Sequence, residues 1–563
     1  MRLPKLNIAD MGKKLREPET LMLLGILLAA LALRVWGIDF GLPYNYHPDE
    51  RGHVIEAARM GMERTLRPAT LAWPPFYAYI LMGEYALELG TGLLLGTYSS
   101  LADFANQITA DPSLFFLSGR LTSAFTGALT TLVVYKIGKI AYNQRVGLIA
   151  AWFLAVAFLH VRDSHYAVND ALLTFLTTLS LLGTVLIVQK KGLAYYVLAG
   201  GAAGLAFATK YTAIFVLVPM VIAHIVSLHL TRKQLSLRGL KIWPLVAGFA
   251  ACAGGAILGS PYFILTPRKV FDDIVSSIYA YGQRGFEGWQ IDPAGGYIFY
   301  LKSLGWGLGI GLLALCLVGV VVTLIKRAPI HLILLTFPAF LYLFMGRQEM
   351  YFARFLLPAL PPLLVIAAGL IEEIAQNIKP YLRVPQPPLL FLLVMLVTVQ
   401  PLGASIYNGY VLTQTDTRTL AKEWIESHLP EGSKIAVDWP HHGPPLATQA
   451  DPGPGVSRIY EVWLVGGHGL SDYRLDDYRA KGYEYLIASS FIYNIPLLDA
   501  EKDTARRNFY ASLDQELTLV QTFWPNTTQT EPAFIFDEVV GPAVSLWQRE
   551  RPGPVLKIYR LTP

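Results

Sequence analysis

Long apolar stretches separated by short polar loops dominate the chain up to about residue 405. Several reach or approach the roughly 20 residues that a helix needs to cross a bilayer. They predict eleven spans, at 20–36, 116–135, 147–161, 171–188, 193–209, 212–229, 242–259, 303–325, 330–345, 355–372 and 388–404. The first apolar run, Leu21 to Val35, follows Arg2, Lys5, Lys13, Lys14 and Arg16. That flank suits a signal peptide, but Trp36-Gly37-Ile38-Asp39 is a poor cleavage site, so a retained helix with a cytoplasmic N-terminus is expected.

Loop charge tests this orientation. Loops 1–19, 136–146, 189–192, 230–241, 326–329 and 373–387 then lie inside and hold 18 Lys/Arg in 65 residues. The outer set, 37–75, 97–120, 162–170, 210, 260–302 and 346–354, holds 13 in 125, the bias that the positive-inside rule describes. Phe76 to Gly96 is nearly long enough to span, but spanning would invert every later loop. It also carries Glu84 and Glu88 one turn apart, and carboxylates are costly at a bilayer centre. It reads as an interfacial or re-entrant helix on the outer side, preceded by an amphipathic interfacial helix over Asp49 to Arg64.

The character changes after Ile406. No later run is long enough to span, and the segment reads as a soluble α/β domain outside the membrane. Thr417 to Leu429 has a helical pattern ended by Pro430-Glu431-Gly432. Lys434 to Val437, Tyr485 to Ala488, Leu517 to Phe523 and Leu556 to Leu561 read as strands. The expected layout is a transmembrane catalytic domain over 1–405, with the first outer loop and its interfacial helices at 37–115, and a soluble domain over 406–563.

Composition agrees: of 563 residues 53% are hydrophobic and 15% charged, against about 25% charged in soluble proteins. The net charge of +5 is modest and its basic residues sit in short loops, which assigns them to topology and not to nucleic acid. Cys252 and Cys316 both fall in apolar runs, which argues against a disulfide or a cysteine metal site.

Four polar clusters fall on the outer side. His47-Pro48-Asp49-Glu50 puts two adjacent carboxylates just beyond the first span. A glycosyl transfer that inverts the anomeric centre needs a base for the acceptor hydroxyl and cationic stabilisation of a phosphate leaving group. The competing reading is a helix start, where the macrodipole favours acidic residues. Arg162 to Asp170 includes Asp163, Ser164, His165, Tyr166 and Asn169 between two spans, and Asp170 leads directly into the second. A plain hairpin loop is also polar. Lys210, in Thr209-Lys210-Tyr211, emerges with almost no loop after the small-residue run Gly200 to Gly204, and a lysine there also reads as a snorkelling anchor. Arg354 opens a proline-bent span at Arg354-Phe355-Leu356-Leu357-Pro358, either as a phosphate ligand or as an interfacial anchor. His441-His442 is a weak metal site, because adjacent side chains on a strand point apart.

Taken in order, Pro48-Asp49-Glu50, Trp73-Pro74-Pro75-Phe76-Tyr77, Arg120-Leu121, Ser164-His165 with Asp170, Gly204-Leu205 with Thr209-Lys210-Tyr211, and Arg354-Phe355-Leu356-Leu357-Pro358 resemble the polyprenyl-phosphate-dependent glycosyltransferases of the GT-C class. The nearest branch is the protein O-mannosyltransferase-like family, which includes the aminoarabinose transferases of lipid A. The resemblance covers Leu21 to about Ile371. It implies Asp49 as general base, with Glu50 positioning it or binding a metal. It implies Lys210, Tyr211 and Arg354 at the donor phosphate, and His165, Asp170, Arg162 and His53 lining the same cavity. Some members use a divalent metal and others do not, so a metal cofactor stays open. The implied partners are a polyprenyl-phosphate- or polyprenyl-diphosphate-linked sugar, an extracytoplasmic acceptor (lipid, glycan or protein) and membrane lipids. The C-terminal region departs from the β-trefoil insert of eukaryotic protein mannosyltransferases, which weakens the case for a protein acceptor. A lipid-linked sugar transporter or flippase and a non-catalytic assembly protein on the same scaffold are the alternatives. The outer-side position of nearly every candidate residue favours the transferase.

Overall fold

A computed structural model describes residues 17–231, 242–284, 292, 294–382, 385–438, 441–448, 458–498 and 503–561. The N-terminal basic cluster before Glu17 and the loop carrying Arg232 and Lys233 lie outside these residues.

Every predicted span falls on a helix, with bounds that depart from expectation at identifiable places. Pro18–Val35, Asp170–Lys190 and Pro329–Gly346 match closely. Gln144–Val156 stops early and restarts as Phe158–Asp163. The carbonyls that the break releases are not left bare: Arg34, from the first helix, donates to the oxygens of Leu154 at 3.1 Å and Ala155 at 3.2 Å. The segment read as one span at 303–325 is two helices, Gly295–Leu308 and Ile310–Lys326, because Gly309 takes a positive φ of 76° that ends the first. Among the described residues six helices are long and apolar enough by themselves to cross a membrane, and four shorter apolar helices accompany them.

Small residues weld two of these helices together. Leu193–Phe207 and Trp243–Gly259 approach so closely that a Cβ on Gly200 would lie 1.9 Å from the Gly248 oxygen, and one on Gly204 2.0 Å from the Cys252 oxygen. Only glycine permits this backbone contact, as the run 200–204 suggested. Asp170–Lys190 runs through the centre of the bundle and is buried along most of its length.

The long loop after the first apolar helix folds into three helices, Glu50–Met62, Phe76–Leu95 and Leu101–Ala110. The first two were expected; the third was not. Its N-cap is Ser100, whose hydroxyl accepts from the Asp103 amide at 3.1 Å.

The last apolar helix continues to Leu412, past the expected boundary at 405. Beyond it, helix Thr417–His428 packs on a five-stranded sheet: β1 (Lys434–Asp438), β2 (Glu461–Val465), β3 (Tyr485–Ser489), β4 (Thr518–Phe523) and β5 (Leu556–Arg560). The order is β2-β1-β3-β5-β4. β1 is parallel to β2 and β3, while β5 is antiparallel to β3 and β4. Strand β2 escaped the sequence pattern because it is an edge strand with only Val465 buried. This region rests on the long loop after the first apolar helix: Arg418 donates to the Tyr46 oxygen at 3.2 Å, and the Tyr46 and Thr419 hydroxyls meet at 2.7 Å.

Candidate active site

Asp49 stands at the N-cap position of Glu50–Met62, yet its side chain makes no capping bond. Its carboxylate turns to Arg354, with Nη2 to Oδ2 at 2.6 Å. The turn is held by His47, whose Nδ1 accepts from the Asp49 amide at 3.2 Å. Burial, with Arg354 nearby, keeps the His47 imidazole well below its usual pKa and so neutral and able to accept.

Arg354 enters from the start of the 3-10 turn Ala353–Ala359, which leads into helix Leu360–Leu382. Its Nε lies 3.6 Å from Asp170 Oδ2, and Lys210 Nζ lies 2.8 Å from Asp170 Oδ1. Asp49, Arg354, Asp170 and Lys210 thus form one chain of alternating charge, drawn from four separate segments. Two aromatic faces back the cations. Arg354 lies 4.3 Å from the Phe352 ring centroid, and Lys210 Nζ lies 4.2 Å from that of Phe355. Arg354 and Asp170 are buried, at 7% and 3% side-chain exposure, whereas Asp49 and Lys210 are open, at 31% and 24%. Arg354 Nη1 is buried with no hydrogen-bond partner among the described residues. A buried guanidinium N–H left unsatisfied is costly, and an anionic oxygen would satisfy it.

His53 is one turn along from Asp49, between Trp73 and Tyr77 at ring-centroid distances of 5.5 and 5.3 Å. Burial pushes its pKa down to about 4, with Asp49 and Asp170 acting against that shift. His53 therefore borders the cluster as a neutral ring.

The other residues singled out from sequence stand apart. Glu50 points away from Asp49 and is fully buried. It accepts from Arg120 Nε at 2.8 Å, Arg120 Nη2 at 2.9 Å and the Ala167 amide at 2.8 Å. Both its oxygens are engaged, which fits a structural anchor better than a metal ligand. Among the described residues no group of three His, Cys, Asp or Glu side chains is placed to hold a metal ion. His165 is used by backbone: Nδ1 lies 2.9 Å from the Val161 oxygen and Nε2 3.2 Å from the Trp36 oxygen. Tyr211 donates to the Leu71 oxygen at 2.5 Å, which ties the long first loop to the bundle. Arg162 is buried between Asp163 at 3.0 Å and Asp537 at 2.7 Å, over the Trp306 ring. Asp537 was not visible from sequence, since nothing local marks it. It comes from the C-terminal region and also accepts from the Ala353 amide at 2.8 Å.

Residues 104–254 match the family described as dolichyl-phosphate-mannose-protein mannosyltransferase, a segment that includes Arg120, Arg162, Asp170 and Lys210. No curated protein sequence matches the chain. Among solved structures, the apo oligosaccharyltransferase of Archaeoglobus fulgidus aligns over 97% of this chain and 89% of its own, with 11% identity and a TM-score of 0.52. The same archaeal enzyme with an inhibitory peptide and a dolichol-phosphate aligns over 96% and 88%, with 11% identity and a TM-score of 0.50. ArnT from Cupriavidus metallidurans bound to undecaprenyl phosphate aligns over 96% and 97%, with 13% identity and a TM-score of 0.48. The fold is shared with that of the archaeal oligosaccharyltransferase, and its long apolar helices are those of a multi-pass membrane protein. Residues 104–254 are thus similar to the mannosyltransferase family, on a fold shared with the archaeal oligosaccharyltransferase.

Proposed function

We propose that the chain is an inverting glycosyltransferase that moves a sugar from a polyprenyl-phosphate carrier to an acceptor hydroxyl at the outer face of the cytoplasmic membrane. Eleven spans, a cytoplasmic N-terminus and an extracytoplasmic domain from about residue 406 complete the reading. The observation that carries it is the Asp49–Arg354–Asp170–Lys210 cluster, with two cations held by buried or aromatic partners and one carboxylate left accessible.

In this reading Arg354 and Lys210 grip the carrier phosphate. The acceptor oxygen attacks the anomeric carbon from the face opposite the phosphate. The carbon–oxygen bond to phosphate breaks, its electron pair stays on the phosphate, and the acceptor proton passes to Asp49. The resting pair between Asp49 and Arg354 has a consequence. A phosphate that takes Arg354 releases Asp49, so donor binding unmasks the base. Asp170 stays behind both cations and keeps them oriented. No step is routed through a metal, because the carboxylate suggested as its ligand is occupied by Arg120.

The test is single-turnover transfer from a synthetic polyprenyl-phosphate sugar by detergent-purified protein. Asp49→Asn should still bind the carrier while losing transfer. Near-normal transfer overturns the assignment of the base, and failure of the unaltered protein to bind any polyprenyl phosphate overturns the whole reading.

A further inference from the structure

Arg354 owes its place to residues far along the chain. Ala353 is the first residue of its 3-10 turn, and the N–H groups at a helical start have no partner within the helix. The Ala353 amide is satisfied by Asp537 Oδ1 at 2.8 Å, a cap lent by the C-terminal region. Asp537 Oδ2 is fixed in turn by Arg162 Nη1 at 2.7 Å, and both side chains are fully buried. Arg162 is itself held by Asp163 and by the Trp306 face. The residue beside Asp537 supports the same arginine from its other side. The Phe536 ring packs on Phe352 at 5.6 Å, and Phe352 carries the Arg354 guanidinium at 4.3 Å. One dipeptide, Phe536-Asp537, therefore fixes both the backbone and the stacking surface of Arg354.

We propose that Asp537 is a positioning residue for Arg354, so that the C-terminal region sets the geometry in which the carrier phosphate is gripped. This rests on the reading of Arg354 as a phosphate ligand. The cap orients the turn, the turn aims the guanidinium, and an error of about an ångström there is costly to a site that depends on orientation.

The experiment uses the full chain in detergent and an unlabelled polyprenyl phosphate as probe, with transfer measured in parallel. Asp537→Ala should raise the dissociation constant for the probe by about tenfold or more, as expected of a misplaced charged contact. Transfer at saturating donor should change far less. Asp537→Asn keeps one oxygen for the Ala353 amide and should fall between Asp537→Ala and the unaltered protein. Asp476→Asn, a surface change in the same region, should alter neither quantity. In the Arg354→Ala background, Asp537→Ala should add nothing to the loss of affinity. Probe affinity within twofold of normal in Asp537→Ala overturns the proposal, as does full additivity with Arg354→Ala. Should Asp537→Ala fail to fold, Phe536→Leu makes the same prediction through the ring stack, and unchanged affinity in that variant overturns it. If Arg354→Ala itself leaves affinity unchanged, the phosphate reading of Arg354 fails first, and the two failures are told apart.

Discussion

Two neighbouring carboxylates lead into two unlike charge clusters. Glu50 meets Arg120 in a pair with no solvent exposure, where a further backbone amide and the carbonyls of Ile38 and Phe40 take up the rest of the hydrogen bonding. Asp49, one residue earlier, meets Arg354 in a pair that is open on the carboxylate side and leaves a guanidinium nitrogen unsatisfied. The difference is one of completeness and not of charge. A closed pair holds the long first loop to the bundle and has nothing left to offer a ligand. An open pair is only partly satisfied without one. Adjacent residues on a helix point about 100° apart, which is how one dipeptide serves both clusters.

Substitutions that separate the two are expected to differ in kind. The largest effect should be on turnover in Asp49→Asn, a loss of about 10²–10⁴-fold, the range that general-base catalysis contributes. Its melting temperature should stay near normal and its affinity for free polyprenyl phosphate should hold or improve, since a competitor for Arg354 has been weakened. Weaker binding there would break the idea that donor and base exchange partners. Glu50→Ala should instead act on folding, costing about 3–5 kcal/mol because it strands a buried arginine. Thermal unfolding of the purified variant checks this, and an unaltered melt with lost transfer would move Glu50 into the chemistry. Arg354→Ala and Lys210→Ala should each weaken carrier binding by about 1.5–3 kcal/mol, the scale of a hydrogen bond to a charged group. Titration with the carrier lipid reads it directly, and two unchanged affinities would make them ordinary anchors.

The smallest effect concerns pH. His53, on helix Glu50–Met62, has its folded pKa lowered to about 4 by burial, while the unfolded chain titrates near the ordinary histidine value of about 6.5. Between those values the unfolded chain binds the extra proton. The stability that His53 contributes is therefore complete above about pH 6.5 and is lost as pH falls towards 4. The gap in melting temperature between pH 8 and pH 5 should shrink in His53→Phe. An unchanged gap would show that the ring is not held neutral by its surroundings.

The legible parts of the molecule are those set by local pattern. Apolar run length located the helices of the bundle, and short strand-forming runs located β1, β3 and β5, which are mostly buried, and β4, an edge strand with no buried residue. The Gly309 break was not foreseen, since a glycine inside an apolar run gives no sign of whether its φ is positive. At the site, Asp49, Asp170, Lys210 and Arg354 were legible as charges at the outer ends of spans, where burial is costly unless they are used. The same signal picked out His165 and Tyr211, whose polar atoms meet carbonyls of Val161, Trp36 and Leu71 that no sequence pattern reveals. Asp537 lies 184 residues from the amide it caps, in a stretch with no motif. Its partner is a matter of tertiary structure alone.

The glycine contact between Leu193–Phe207 and Trp243–Gly259 has a mechanical consequence for the cluster. Backbones touching at Gly200 and Gly204 cannot slide past one another, so the two helices behave as a single strut. Lys210 sits three residues beyond the end of that strut, and the Ala208 oxygen beside it receives the amide of Phe76, the first residue of helix Phe76–Leu95. The helix Phe76–Leu95 is thereby tied to the end of the strut from which Lys210 emerges.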